Sequence, residues 1–161
     1  MTNGAVAVYE SGVIAKPELD VTDVVAHVKN IQGVMSTVMH KGEHYGIIPG
    51  TQKPTLLQPG AQKLCLTFRL DPQDEVIQST ETDDLIAFTV RTTLYHIASG
   101  QRIASGVGSC NSREKRYIRR DKDGSIQRAW DLHNTILKMA SKRALVAAVL
   151  RGTAASDIFT Q

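Results

Sequence analysis

The spacing of hydrophobic positions changes along this chain, and each change marks an element. From about Val21 to Met39 the apolar residues Val24, Val28, Ile31, Met35, Val38 and Met39 recur at helical spacing, with Val25 and Val34 widening the stripe. Asp20 or Thr22 can cap this helix and Asp23 suits its first turn. Gly42 is expected to close it. Residues 45–59 hold three prolines and two glycines, which predicts an ordered loop with a short extended piece at Ile47-Ile48. A second, shorter helix is expected to open at Pro59, where a first helical position tolerates proline, and to bury Ala61, Leu64, Cys65 and Phe68.

Beyond Phe68 the period falls from 3.6 to 2. Glu75 to Thr80 is compatible with a strand. Leu85 to His96 is a clear one, with Ile86, Phe88, Val90, Thr92 and Leu94 on one face and Arg91, Thr93 and Tyr95 on the other. Ala98-Ser99-Gly100 supplies a turn, and Gln101 to Cys110 returns as a partner strand. Ile103, Ser105 and Val107 share one of its faces. Ala104, Gly106 and Gly108 on the other face carry almost no side chain, so a helix is expected to pack there closely. After a polar, basic stretch at 111–129 with a turn at Asp123-Gly124, a last helix runs from Trp130 or Asp131 to Leu150. Leu132, Ile136, Met139, Ala140, Val146 and Val149 are expected to be buried. Lys138, Lys142 and Arg143 cannot be buried unpaired and should line an exposed or partner-facing edge. The predicted order is an N-terminal helix, a short helix, an antiparallel three-stranded β-meander, a basic loop and a long C-terminal helix packed on the sheet. This is a β-β-β-α core of the α+β class. Residues 1–18 read as a flexible N-terminal arm, and 19–161 as one domain large enough to bury a real core.

Charge sharpens this picture. The 161 residues carry a net charge of +3, but residues 1–100 hold 7 Lys and Arg against 11 Asp and Glu, while residues 101–161 hold 12 against 5. A cationic half of this kind is a candidate surface for a polyanion, or else a solvated face with no specific partner. The two cysteines, Cys65 and Cys110, form no C-x-x-C and read as reduced, buried thiols. No apolar run is long enough to span a bilayer, and the N-terminus lacks a basic start followed by an apolar run. A cytoplasmic protein without membrane partners is expected.

Several chemistries were weighed against the residues. His40, Glu43 and His44 spell H-x-x-E-H, the inverted zinc-protease signature. Gly42 lies between the histidines and Gly46 and Pro49 follow, so a helix ends where that site needs one to continue, and a third ligand has no convincing place. There is no G-x-x-x-x-G-K-[ST] phosphate loop and no G-x-S-x-G elbow. His27, His96 and His133 read as structural. The basic stretch carries more information: Arg113, Lys115, Arg116, Arg119, Arg120, Lys122 and Arg128 surround Tyr117. Such cations neutralise phosphates and release counterions. A tyrosine among them can stack on an unpaired base, which favours single strands over duplex. Lys138 and Lys142 are one helical turn apart and point the same way, with Arg143 adjacent.

The segments GEHYGIIPGTQKPTLLQPGAQKL and DLHNTILKMASKRALVAAVLRGTAASDIFTQ resemble phage and prophage single-strand annealing recombinases, a group within the Rad-fifty-two-like superfamily. In that superfamily a helix precedes a β-meander, and a glycine-bearing last strand, here IASGVGSC, leads through a polar loop into a long helix with a Lys-Arg-Ala-Leu-like run. The resemblance covers roughly residues 20–161. It implies rings or helical filaments whose basic groove holds single-stranded DNA by its backbone, so that a complementary strand can pair without ATP. Lys142 and Arg143 match the family's groove-lining basic pair, and Lys63 lies near a family basic position. The loop after the meander departs from the family. Contacts there rest on this chain's own charges: Lys138, Arg113, Lys115, Arg116, Arg119 and Arg120 to phosphates, and Tyr117 to a base. The expected partners are single-stranded DNA, the annealed duplex intermediate, further copies of this chain, and a phage exonuclease or host single-strand binding protein, in a bacterial cytoplasm. No catalytic residue, metal or cofactor is expected, and the protein is read as not an enzyme. The alternatives are a module that coats single strands without annealing them and a zinc metalloprotease using HKGEH.

Overall fold

The computed structural model describes residues 20–47, 52–118 and 128–160. The N-terminal arm, Ile48, Arg119, Arg120, Lys122 and the Asp123-Gly124 turn lie outside the described residues. Helix α1 spans Val21–Val38 and opens on a reciprocal cap, with Asp20 accepting from the Asp23 amide at 2.9 Å and Asp23 accepting from the Asp20 amide at 3.3 Å. It ends at Val38, ahead of Gly42, because Met39 is already extended. Gly42 instead forms the next turn at φ +89°, a conformation that glycine adopts without a Cβ penalty. Of α1's apolar stripe only Ile31 is fully buried, and Val24, Val25 and Val38 are 48, 45 and 43% exposed. The helix touches α2 at one end and leaves most of its stripe outside the core.

Strands β1 (Tyr45–Gly46) and β2 (Thr55–Leu56) pair antiparallel where the sequence predicted a loop with an extended piece at Ile47-Ile48. Helix α2 (Gln58–Thr67) buries Ala61, Leu64 and Cys65 as expected, and leaves Phe68 half-buried at its end. The meander follows as β3 (Leu70–Glu81), β4 (Ile86–His96) and β5 (Arg102–Asn111), in the order β3-β4-β5. Strand β3 is twice as long as its apolar alternation suggests. Pro72 sits within it, which an edge strand tolerates because the missing N–H would face outward. A bulge at Ile77 further masks the period.

Two short turns, Lys115–Tyr117 and Ala129–Leu132, flank the segment outside the described residues. Helix α3 (His133–Gly152) then crosses β4 and β5. Its Ala140, Ala144 and Ala148 are fully buried against the glycine face of β5. A Cβ on Gly106 would lie 2.2 Å from the Ala148 nitrogen, and one on Gly108 would lie 2.3 Å from the Ala144 nitrogen. The helix backbone therefore rests almost directly on the strand. Ile86, Phe88, Val90, Thr92 and Leu94 all point into this interface. Two apolar clusters result: one joins Leu64, Leu94, Val149 and Phe159, the other joins Ile86, Phe88, Ile136 and Ala140. No helix among the described residues is long and apolar enough to cross a membrane.

Candidate nucleic-acid interface

The H-x-x-E-H segment is a turn that positions β2. His44 is buried; its amide donates to the His40 carbonyl at 2.9 Å and its Nδ1 accepts from the His40 amide at 3.0 Å. The His44 carbonyl accepts from the Leu57 amide at 3.0 Å, and Gly60 packs so closely on it that a Cβ would come within 2.2 Å. His40 and His44 lie beyond the end of α1, so the two rings do not share a helical face. Among the described residues no group of three His, Cys, Asp or Glu side chains is arranged to hold a metal. On its other side β2 is held by the chain end: the Leu56 amide donates to the Thr160 carbonyl at 2.9 Å, and the Thr160 amide donates to the Pro54 carbonyl at 2.8 Å.

Held in this way, Thr55, Leu56 and Leu57 form one wall of a cleft of about 440 Å³. Met139, Lys142, Arg143 and Val146 of α3 form the opposite wall, and Arg116 closes one side. The α3 residues follow i, i+3, i+4, i+7 spacing, so they share one face. Three cations thus surround a floor of Leu56, Leu57, Met139 and Val146. Thr55 is buried, and its hydroxyl has no hydrogen-bond partner among the described residues. A buried, unpaired hydroxyl carries a desolvation cost that a bound acceptor would remove.

Arg143 does not stand alone. Its Nη1 and Nη2 donate to Glu114 Oε1 and Oε2 at 2.6 and 2.8 Å, and Nη1 also donates to the Ser109 carbonyl. Arg116 Nη2 donates to Glu114 Oε2 at 3.1 Å, and the Asn111 amide reaches Oε1 at 3.4 Å. The Arg143 guanidinium, opposed by partial burial, pulls the Glu114 carboxyl down from 4.5 to about 2. Arg143 is held still more firmly protonated by the same carboxylate. The clamp ties the segment after β5 to the middle of α3.

The remaining predicted contacts are spread more widely. Lys138 is exposed one turn before Lys142 and does not line the cleft. Lys63 is half-buried on α2 and also lies off it. Lys115 is exposed in the turn beside Arg116. Arg113 lines a neighbouring hollow with Asp83, Asp84, Tyr117 and Arg128. Arg119 and Arg120 are outside the described residues. Tyr117 packs against the Ile86–Ile136 cluster, its hydroxyl lies 3.8 Å from the Cys110 thiol, and the Arg116 guanidinium carbon lies 4.8 Å from its ring centroid. Burial raises the Tyr117 pKa. The ring that the sequence offers to a base is here a packing residue.

Three participants escaped the sequence reading. Glu114 was the one acid inside a run of cations, and that placement was the available signal. Thr55 carried none, because its burial depends on the chain end. Trp130 is 47% exposed, stacks on His133 at 5.7 Å and donates from Nε1 to Asp83 at 3.1 Å. Among the other histidines, His27 lies 2.7 Å from the Thr153 carbonyl and stacks on Phe68, His96 Nδ1 lies 3.1 Å from Ser99, and His133 lies 3.1 Å from Glu81. All three make structural contacts. Cys65 and Cys110 are buried and unbridged, and burial pushes the Cys65 thiol up to about 11. No protein-family model matches this chain, and no curated protein is significantly similar to it in sequence.

Proposed function

We propose that this protein binds single-stranded DNA through its backbone and anneals complementary strands without ATP, acting as an oligomeric ring or filament. The observation that carries the reading is the convergence of Arg116, Lys142 and Arg143 on one cleft between α3 and β2. Residues far apart in sequence meet there, and all three carry the charge that a phosphate backbone requires. The apolar floor suits a sugar or base edge more than a metal or a small anion. The β-β-β-α order and the two segments resembling annealing recombinases supply the specific activity. DNA recombination and repair are the processes in which such an activity serves.

Binding is tested by the anisotropy of a labelled 30-nucleotide oligo-dT across a range of salt concentrations. The account expects the logarithm of affinity to fall linearly with the logarithm of salt, and duplex of the same length to bind more weakly. Salt-independent binding, or none, would remove the polyanion reading. Tight binding without acceleration of annealing would leave a single-strand coating module.

A further inference from the structure

We propose that Glu114 occupies the position of a DNA backbone phosphate, and that an incoming strand displaces it from Arg143 and so releases the segment 111–118. The inference rests on the single-stranded DNA reading given above and concerns its regulation. Glu114 presents two anionic oxygens to a planar guanidinium with the two-pronged geometry in which arginine also grips a phosphate. A second arginine, Arg116, holds one of the same oxygens. Both arginines line the cleft, and Lys142 lines it beside them. The site therefore presents its cations already gathered around an anion supplied by the chain itself.

Displacement is feasible because the clamp is accessible. The side chains of Arg143 and Glu114 are 33 and 24% exposed, so a polyanion can reach the guanidinium from solvent. The exchange replaces one carboxylate by one phosphate at Arg143 and leaves no guanidinium unpaired. Strand gain at the cleft is offset by loss of the Glu114 contact, so binding starts weaker than the charge count suggests. Glu114 sits three residues after the end of β5, and the short turn bearing Arg116 and Tyr117 follows it directly. Releasing the carboxylate frees that turn from α3, so occupancy of the cleft is reported to the outer end of the sheet.

The test compares the wild-type protein with Glu114→Gln, using a 30-nucleotide oligo-dT as probe. The account expects the variant to bind roughly fivefold to tenfold more tightly at low salt, because Arg143 no longer exchanges one anion for another. Its salt slope should steepen by about 0.7, the contribution of one further phosphate contact on a single strand. A second measurement uses only the wild-type chain and so survives any folding defect of the variant. Amide hydrogen exchange across 111–118 should become faster when oligo-dT binds. Equal or weaker binding by a folded Glu114→Gln, or slower exchange across 111–118 in the wild-type complex, would overturn the displacement and leave the binding reading intact. If neither protein binds oligo-dT, the reading itself falls and this inference with it.

Discussion

At the scale of single residues, Arg143 and Lys142 are neighbours in sequence with different tasks. Lys142 lines the cleft with no printed ion pair, whereas Arg143 both lines it and holds Glu114 and the Ser109 carbonyl. Removing Arg143 would leave a partly buried carboxylate without its main partner, so an Arg143→Ala variant loses stability along with binding. The cleaner probe is Arg116→Ala with Lys142→Ala. That pair is expected to lower the salt slope of single-strand binding by about 1.4, two phosphate contacts' worth, with little change in Tm. Glu114 makes a separate prediction about pH. Its folded pKa, about 2, lies below its unfolded value of 4.5, so the unfolded chain binds more protons between those values. The clamp's contribution is complete above pH 4.5 and is lost as pH falls toward 2. Discounted for partial exposure it is on the order of 2 kcal/mol. Chemical denaturation at a series of pH values should show this loss in the wild-type protein, and Glu114→Gln should lack that component.

At the scale of elements, the seam between α3 and β5 decides the architecture. Alanines at 140, 144 and 148 meet Gly106 and Gly108, and neither surface has room for another carbon. Gly108→Ala should destabilise the fold by about 1–3 kcal/mol, because the Cβ meets helix backbone rather than a flexible side-chain end. A Tm unchanged within error would show that α3 can lift freely. This seam was legible in the sequence, since glycine alternation on a strand face announces a close neighbour. So were β4, with its unbroken alternation, and the Asp20 cap. Strand β3 was half hidden, because Pro72 and the acids around it look like a turn and the Ile77 bulge breaks the period. The sparse burial of α1 was not legible at all: a helical stripe shows which face is apolar, not whether anything covers it. The candidate site divides in the same way. The cations announced themselves by composition, whereas their convergence depends on β2, whose place is set by the His44 carbonyl and by Thr160, more than a hundred residues away from it.

At the scale of the whole molecule, the uneven charge of the sequence becomes a spatial division. Asp71, Asp74, Glu75 and Glu81 lie exposed along β3, and Asp83 and Asp84 occupy the turn after it. The described cations of the second half gather around β5, the turn after it and α3. The two sheet edges are guarded by different means. On β5, Arg143 and Arg151 donate to the outward carbonyls of Ser109 and Ser105. On β3, Pro72 and a row of carboxylates discourage indiscriminate strand pairing. A polyanion is thus repelled from one side of the sheet and drawn to the side where the cleft opens. The measurement that tests this account most directly is the annealing rate of two dye-labelled complementary oligonucleotides, without ATP or added metal. The account predicts clear acceleration by the wild-type protein and loss of most of it in the Arg116→Ala, Lys142→Ala variant. Annealing no faster than in buffer, at protein concentrations that saturate the single strands, would contradict it.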